Sequence, residues 1–345
     1  MRSRLIGLFV IGSLGLSSSA VPVEAAAAAA KTCRVVDVPV SLSAGDPDDQ
    51  FVQGQLCALG DPRGLRVQVL VHGYTLTRSY WDLPYGDGRY SYVDASIARG
   101  YATFAIDRIG VGGSSRPPAL AVTLDANVWT LHEVVAAVRS GWVTGAPVTD
   151  VMLVGHSFGS AISVTEAGRF QDVDAVVATS FLHTLGAGVA PLLISTEPAQ
   201  LDPAFAKSDL PLGYVTTVPG SRQQFYAPED TDPQVVAIDE QSKGTGTVGE
   251  LGTFGAYLLP ISDALRVRVP VLLAVGESDL YFCSLGLPCP DAATVVPRER
   301  LYFGPLADLT GYVLPGAGHN MALELNAGAA TSAILAWIGT HALPS

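Results

Sequence analysis

The chain has 345 residues, of which 48% are apolar and only 15% charged, enough to build a large core and too apolar for disorder. Its net charge of −12 repels phosphate backbones and anionic bilayers, which disfavours nucleic acid and acidic membrane surfaces as partners. The sequence has neither a repeat at a fixed period nor zinc-type Cys/His spacing.

The N-terminus opens with Arg2 and Arg4 ahead of an apolar run, Leu5 to Leu16. That run has the length of a signal-peptide core and is too short to span a bilayer. Small residues follow, and Val23-Glu24-Ala25 fits a cleavage site. Residues 1–25 are therefore expected to be a signal peptide, and the mature protein to be secreted. No later segment is apolar for long enough to insert stably into a membrane. The alanine stretch from Ala25 to Ala30 is expected to be removed or disordered. Export bears on the four cysteines, Cys33, Cys57, Cys283 and Cys289. Three pairings are possible. The local one, Cys33–Cys57 with Cys283–Cys289, is favoured because the second pair shares one short loop, CSLGLPC. On the loop-entropy account that clip stabilises by about 2 kcal/mol and the longer one by about 3 kcal/mol.

Arg34 to Leu42 and Phe51 to Leu59 pattern as edge strands around the turn AGDPDD. Leu65 to Val71 predicts a strand ending at His72-Gly73. Tyr92 to Arg99 predicts a helix, Thr103 to Ile106 a buried strand, and Leu124 to Ser140 a helix. VMLV, from Val151, is a strand, Ser160 to Phe170 a helix and Val173 to Thr179 a strand. Val269 to Val275 and Leu309 to Leu314 are further strands, and Ala322 to Ile338 is the last helix. Apolar strands alternating with helices mean an α/β fold, a mostly parallel sheet covered on both faces. The alternation breaks from about Leu185 to Pro260, a stretch with several prolines, Tyr214, Phe225, Tyr226, Phe254, Tyr257 and the acidic turn PEDTDP. A stretch this long is an insertion rather than a loop. The expected organisation is a core of residues 31–184 and 261–345 with a cap over residues 185–260.

The chemistry centres on VMLVGHSFGS, residues 151–160, where an apolar strand runs into a serine bracketed by glycines. A sharp strand-to-helix turn lifts a serine hydroxyl clear of the backbone, and such a turn excludes side chains at the flanking positions. Ser157 is the candidate nucleophile. The helix after it aims its first amides at the place where negative charge develops, so the Phe158 amide is a candidate oxyanion donor. A second donor is expected from a loop after an earlier strand, and the Tyr74 amide in VLVHGYTLT sits there.

A serine hydroxyl needs a base, and the base an orienting acid. Of the six histidines, His319 in LPGAGHNM lies in a small-residue loop between the last strand and the last helix. His156 adjoins the serine and should point away from it. His72 belongs to the oxyanion segment, His132 to a helix, His183 to a strand end and His341 to the tail. The acid is expected in VLLAVGESDLYFC. Asp279 is preferred to Glu277 because it lies deeper in the loop beside Leu280 and Tyr281.

Together these segments resemble a secreted member of the α/β-hydrolase fold, from about Arg34 to the end. The matching features are HG after the third strand, GHSFG at the elbow, GESD after the strand that follows the cap, and the terminal GAGH. The order Ser157, Asp279, His319 is the order of that template. AIDRIGVGGSS, residues 105–115, resembles the family's D-x-x-G-x-G-x-S loop, in which Asp107 holds the loop rather than acting on substrate. The resemblance implies acyl transfer to water on a small-molecule ester through an acyl-enzyme, with no cofactor and no metal required. The cap composition suits an apolar or aromatic ester. A lactonase and a short-peptide peptidase are the competing activities. The peptidase would use Glu229, Asp230 or Asp239 to bind a free amine. A non-catalytic binding protein of the same fold is the alternative from another class.

Overall fold

The computed structural model describes residue 7 and residues 30–341. The segment expected to be a signal peptide, with its expected cleavage site, lies outside these residues, Gly7 excepted. An eight-stranded sheet forms the centre, built from β1 (Lys31–Val40), β2 (Gln50–Leu59), β3 (Val67–Val71), β4 (Ala102–Ile106), β5 (Val151–His156), β6 (Ala175–Thr179), β10 (Pro270–Gly276) and β11 (Asp308–Leu314). Their spatial order is β1-β2-β4-β3-β5-β6-β10-β11. The first two strands run antiparallel to their neighbours and the rest are parallel. Strands β3 to β6 are buried along their whole length, as continuous apolar runs require when both faces are covered.

One expectation is corrected at the edge. β2 is an interior strand, paired with β1 on one side and with β4 from Gly54 to Cys57 on the other. Its alternation of Gln53 and Gln55 with apolar residues looks like an edge, but β1 is the strand that faces outward, with six of its first seven residues exposed.

Four of the helices are α1 (Tyr92–Ile97), α2 (Leu124–Ser140), α3 (Phe158–Phe170) and α8 (Ala327–His341). They cover the sheet in two pairs, α2 with α3 and α1 with α8. α2 shows how sequence sets such an element. The Thr123 hydroxyl accepts from the Ala126 amide at its start, Gly141 ends it at φ +87°, and Leu124, Val128, Leu131, Val135 and Val138 form one buried stripe. α8 begins at Ala327, five residues later than its apolar pattern suggests.

Residues 185–260 hold α4 (Val189–Ile194), β7 (Thr196–Pro198), β8 (Tyr214–Thr217), α5 (Pro233–Gln241), β9 (Gly246–Thr247) and α6 (Val248–Phe254). The three short strands make a separate antiparallel sheet in the order β7-β8-β9. Buried polar bonds fasten this segment to the rest: Tyr214 donates to the Pro117 carbonyl at 2.7 Å, Arg222 to the Thr75 carbonyl at 2.9 Å and Thr247 to the Val122 carbonyl at 2.7 Å. α7 (Ala292–Glu299), which the sequence reading did not resolve, packs on β11. Both disulfides join the locally paired cysteines: Cys33–Cys57 directly across β1 and β2, and Cys283–Cys289 within the loop after β10. No helix among the described residues is long and apolar enough to cross a membrane.

Candidate active site

The chain leaves β3 for β4 on one side and returns through β5 on the other, so strand order reverses between β3 and β5. Open parallel sheets present ligand sites at the carboxyl ends of strands beside such a reversal. Ser157 stands there, at the end of β5, with φ +53° and ψ −119°, a backbone conformation that a non-glycine residue adopts only under constraint. The flanking glycines are set by contact. A Cβ on Gly155 would lie 2.5 Å from the Ser160 Cα, and one on Gly159 would lie 2.3 Å from the Val71 carbonyl oxygen. α3 starts at Phe158, two residues earlier than its sequence pattern suggests, so its open N-terminus lies beside the serine.

Parallel pairing brings the other side chains in. β10 and β11 end together, with Gly276 opposite Leu314, so the loops that follow them are neighbours. His319 Nε2 lies 2.9 Å from Ser157 Oγ, and His319 Nδ1 lies 2.9 Å and 3.1 Å from the two oxygens of Asp279. Asp279 is fully buried and also accepts from the Tyr281 amide at 3.0 Å. Its neighbours Tyr281 and Phe282 are buried with it, whereas Leu280 is largely exposed. Glu277 instead accepts from the Gly316 amide at the exposed rim of the β11 loop. With Nδ1–H donating to the carboxylate, Nε2 is left to accept the serine proton, which is the arrangement a general base needs.

Gly73 packs against the serine, with its Cβ position 3.1 Å from Ser157 Cβ. The amides of Tyr74 and Phe158 have no hydrogen-bond partner among the described residues. Two N–H groups free beside a nucleophile can receive a carbonyl oxygen as it becomes an anion.

Four of the five remaining histidines are occupied elsewhere. His72 accepts from the Arg108 amide at Nε2 and contacts the Gly73 carbonyl at Nδ1, and burial with the nearby Arg108 charge holds it well below the usual imidazole range. His156 points away from the hydroxyl, stacks on Tyr80 and contacts its phenol oxygen at 3.1 Å; burial, and then His319, hold it neutral. His183 pairs with buried Glu299 at 2.7 Å, and His341 sits on the last turn of α8. Asp107 holds its loop as expected, accepting from the Arg78 amide at 2.9 Å and the Gly113 amide at 3.0 Å.

Several supporting residues carry no sequence signal of their own. Ser180 donates to the His319 carbonyl at 2.6 Å. Glu324 accepts from the Gly318 amide at 2.8 Å and the Ala227 amide at 3.0 Å, and so ties the histidine loop to the inserted segment. Buried Arg108 donates to the His72 carbonyl at 3.1 Å, pairs with Glu250 of α6 and lies over the Phe158 ring. A charged residue in a Gly-rich loop looks solvated in sequence, and only the fold reveals it as a buried post. The metal-ligating side chains that cluster among the described residues, His132, Glu166 and Asp172, lie at the far end of α3 and not at Ser157.

An apolar cavity of about 250 Å³ opens beside Ser157. Leu192 and Leu193 of α4, Leu251 and Phe254 of α6, and Leu258 and Phe282 form its wall.

The model of the alpha/beta hydrolase family matches residues 68–333. No curated protein sequence matches the chain. Among solved structures, an esterase from Thermogutta terrifontis has a TM-score of 0.55 at 16% identity, over 90% of this chain and 100% of that one. A monoacylglycerol lipase from Paleococcus ferrophilus has a TM-score of 0.54 at 18% identity, over 81% and 96%. The enol-lactonase from Burkholderia xenovorans LB400 has a TM-score of 0.55 at 14% identity, over 87% and 100%. At such identities the likeness is one of fold. The family match runs from β3 into α8, takes in both loops at Ser157, and establishes that the chain belongs to the alpha/beta hydrolase family.

Proposed function

We propose that the protein is a secreted carboxylic ester hydrolase that works through an acyl-enzyme on Ser157. One observation carries this reading: the unbroken bond series from Ser157 Oγ through His319 to buried Asp279, at 2.9 Å in each link, beside an apolar cavity. Ser157 Oγ attacks the ester carbonyl while His319 Nε2 takes its proton. The Tyr74 and Phe158 amides hold the oxyanion, and Asp279 stabilises the imidazolium. His319 then gives the proton to the leaving alcohol. A water, deprotonated by the same nitrogen, repeats the sequence on the acyl-enzyme and releases the acid.

Residues 185–260 act as a cap whose apolar wall takes the acyl or aromatic part of the ester. Two disulfides and the N-terminal signal pattern support export. A short-peptide peptidase is disfavoured. Asp239 is bound by Arg222 at 2.5 Å and 3.0 Å and by the Tyr226 hydroxyl at 2.8 Å, Glu229 is exposed, Asp230 is half-buried, and none of the three lines the cavity at Ser157. A lactone, an internal ester, is attacked by the same steps and is the second reading.

The test is hydrolysis of p-nitrophenyl esters from acetate to long acyl chains by wild type and Ser157→Ala. Wild type should be active, with a chain-length limit set by the cavity, and the variant should lose at least about ten-thousandfold in kcat while remaining folded. A folded wild type inactive on esters and lactones alike would remove this reading in favour of a binding role.

A further inference from the structure

We propose that His132, Glu166 and Asp172 bind one divalent cation of the zinc class, which clamps the distal end of α3 to α2. His132 comes from α2, Glu166 from the last turns of α3, and Asp172 from the loop that leads into β6. One ligand atom from each lies within 4.8 Å of the other two. His132 Nδ1 is 2.8 Å from Asp172 Oδ2 and 3.7 Å from Glu166 Oε1. Ligands about 2.0–2.1 Å from a tetrahedral ion stand about 3.4 Å apart, inside this spread.

The second observation is that the group is not satisfied by its own bonds. Glu166 is fully buried, and neither of its carboxylate oxygens has a hydrogen-bond partner. His132 Nδ1 and Asp172 Oδ1 are likewise without one. His132 Nδ1 faces both carboxylates at once, with Asp172 on one side and Glu166 on the other. An ion between the three would satisfy all of them, whereas leaving a buried carboxylate bare is costly.

The ligands are held in place. His132 stacks on Phe170 with ring centres 3.7 Å apart, and the Asp172 carbonyl accepts from Arg139 Nε at 2.8 Å. His132 and Asp172 are partly exposed, which leaves a fourth position to water and an entry path. One imidazole nitrogen with two carboxylates suits zinc better than calcium or magnesium, which take oxygen ligands in larger number. Linear spacing hides the group because its members come from three elements. It lies nine residues along α3 from Ser157, about 13 Å, so its role is to hold the helix rather than to join the reaction.

The experiment is a ZnCl2 titration of chelator-stripped, purified protein by calorimetry, with thermal unfolding of the same samples. Wild type should bind one zinc ion per chain, with a Tm that rises with zinc concentration. His132→Ala and Asp172→Asn should each weaken binding at least about a hundredfold and lose the zinc-dependent rise in Tm. Asp172→Asn keeps the test valid if removal of the histidine ring impairs folding. No binding by wild type, equal binding by a folded variant, or displacement of zinc by equimolar calcium would overturn the proposal.

Discussion

Glu324 shows how much a single side chain off the reaction path can matter. It is buried, and burial pushes its carboxyl up to about 7, even though the Ala227 and Gly318 amides favour the ionised form. An acid with a raised folded pKa holds its proton more tightly in the native state. Its contribution is therefore complete below the unfolded value, near 4.3, and is lost as pH rises through 7. The loss is of order 3 kcal/mol. Glu324→Gln keeps an acceptor for both amides and removes the ionisation. Urea midpoints from pH 4 to 8 should fall with pH in wild type and fall less steeply in the variant, where buried Glu166, pushed up to about 8 by its burial, still contributes. An equal slope in both would mean that another group controls the dependence.

At the scale of elements, α6 is held by an ion pair that crosses from the core. Arg108 and Glu250 are both buried, and Asn127 bonds to each of them. Removing one partner leaves the other charge uncompensated, which costs about 3–5 kcal/mol. Arg108→Met should destabilise by that amount in urea denaturation, and Arg108→Met with Glu250→Gln should recover most of it. If the single variant is near neutral, the pair does not anchor α6. The same elements show why some of the fold was legible in the sequence. β3, β4, β5, β6 and β10 are runs of Val, Leu, Ile and Ala because both faces are covered, so their existence and order can be seen in the residues alone. Ser157 follows β5 directly, whereas Asp279 lies in the loop after β10 and His319 in the loop after the edge strand β11, so each could be read as a loop residue at the carboxyl end of a strand. Residues 185–260 were not, since β7, β8 and β9 have three, four and two residues and no period can show in so few. Their positions depend on long-range bonds such as Tyr214 to Pro117, and the Arg108–Glu250 pair spans 142 positions of sequence. β2 was placed wrongly for a related reason, because its pattern records partial burial but not which neighbour supplies it.

For the whole molecule, the Cys283–Cys289 clip links architecture to activity. It closes the loop that follows Asp279, and the Cys283 amide donates to the Asp279 carbonyl at 2.6 Å. Replacing both cysteines by serine should cost about 2 kcal/mol of stability and lower kcat about tenfold or more, because a carboxylate displaced by a fraction of an ångström no longer orients the imidazole. Unchanged kcat in a folded variant would show that Tyr281, Phe282 and the sheet hold Asp279 unaided. The central claim concerns Ser157 itself, and the most direct measurement is labelling with a fluorophosphonate, followed by peptide mapping and residual esterase activity. A nucleophilic serine displaces fluoride and retains the phosphonyl group. The expected result is one phosphonyl group per chain on Ser157, loss of activity in step with labelling, and no labelling of Ser157→Ala. Activity that survives complete labelling, or a label on another residue, would contradict the account.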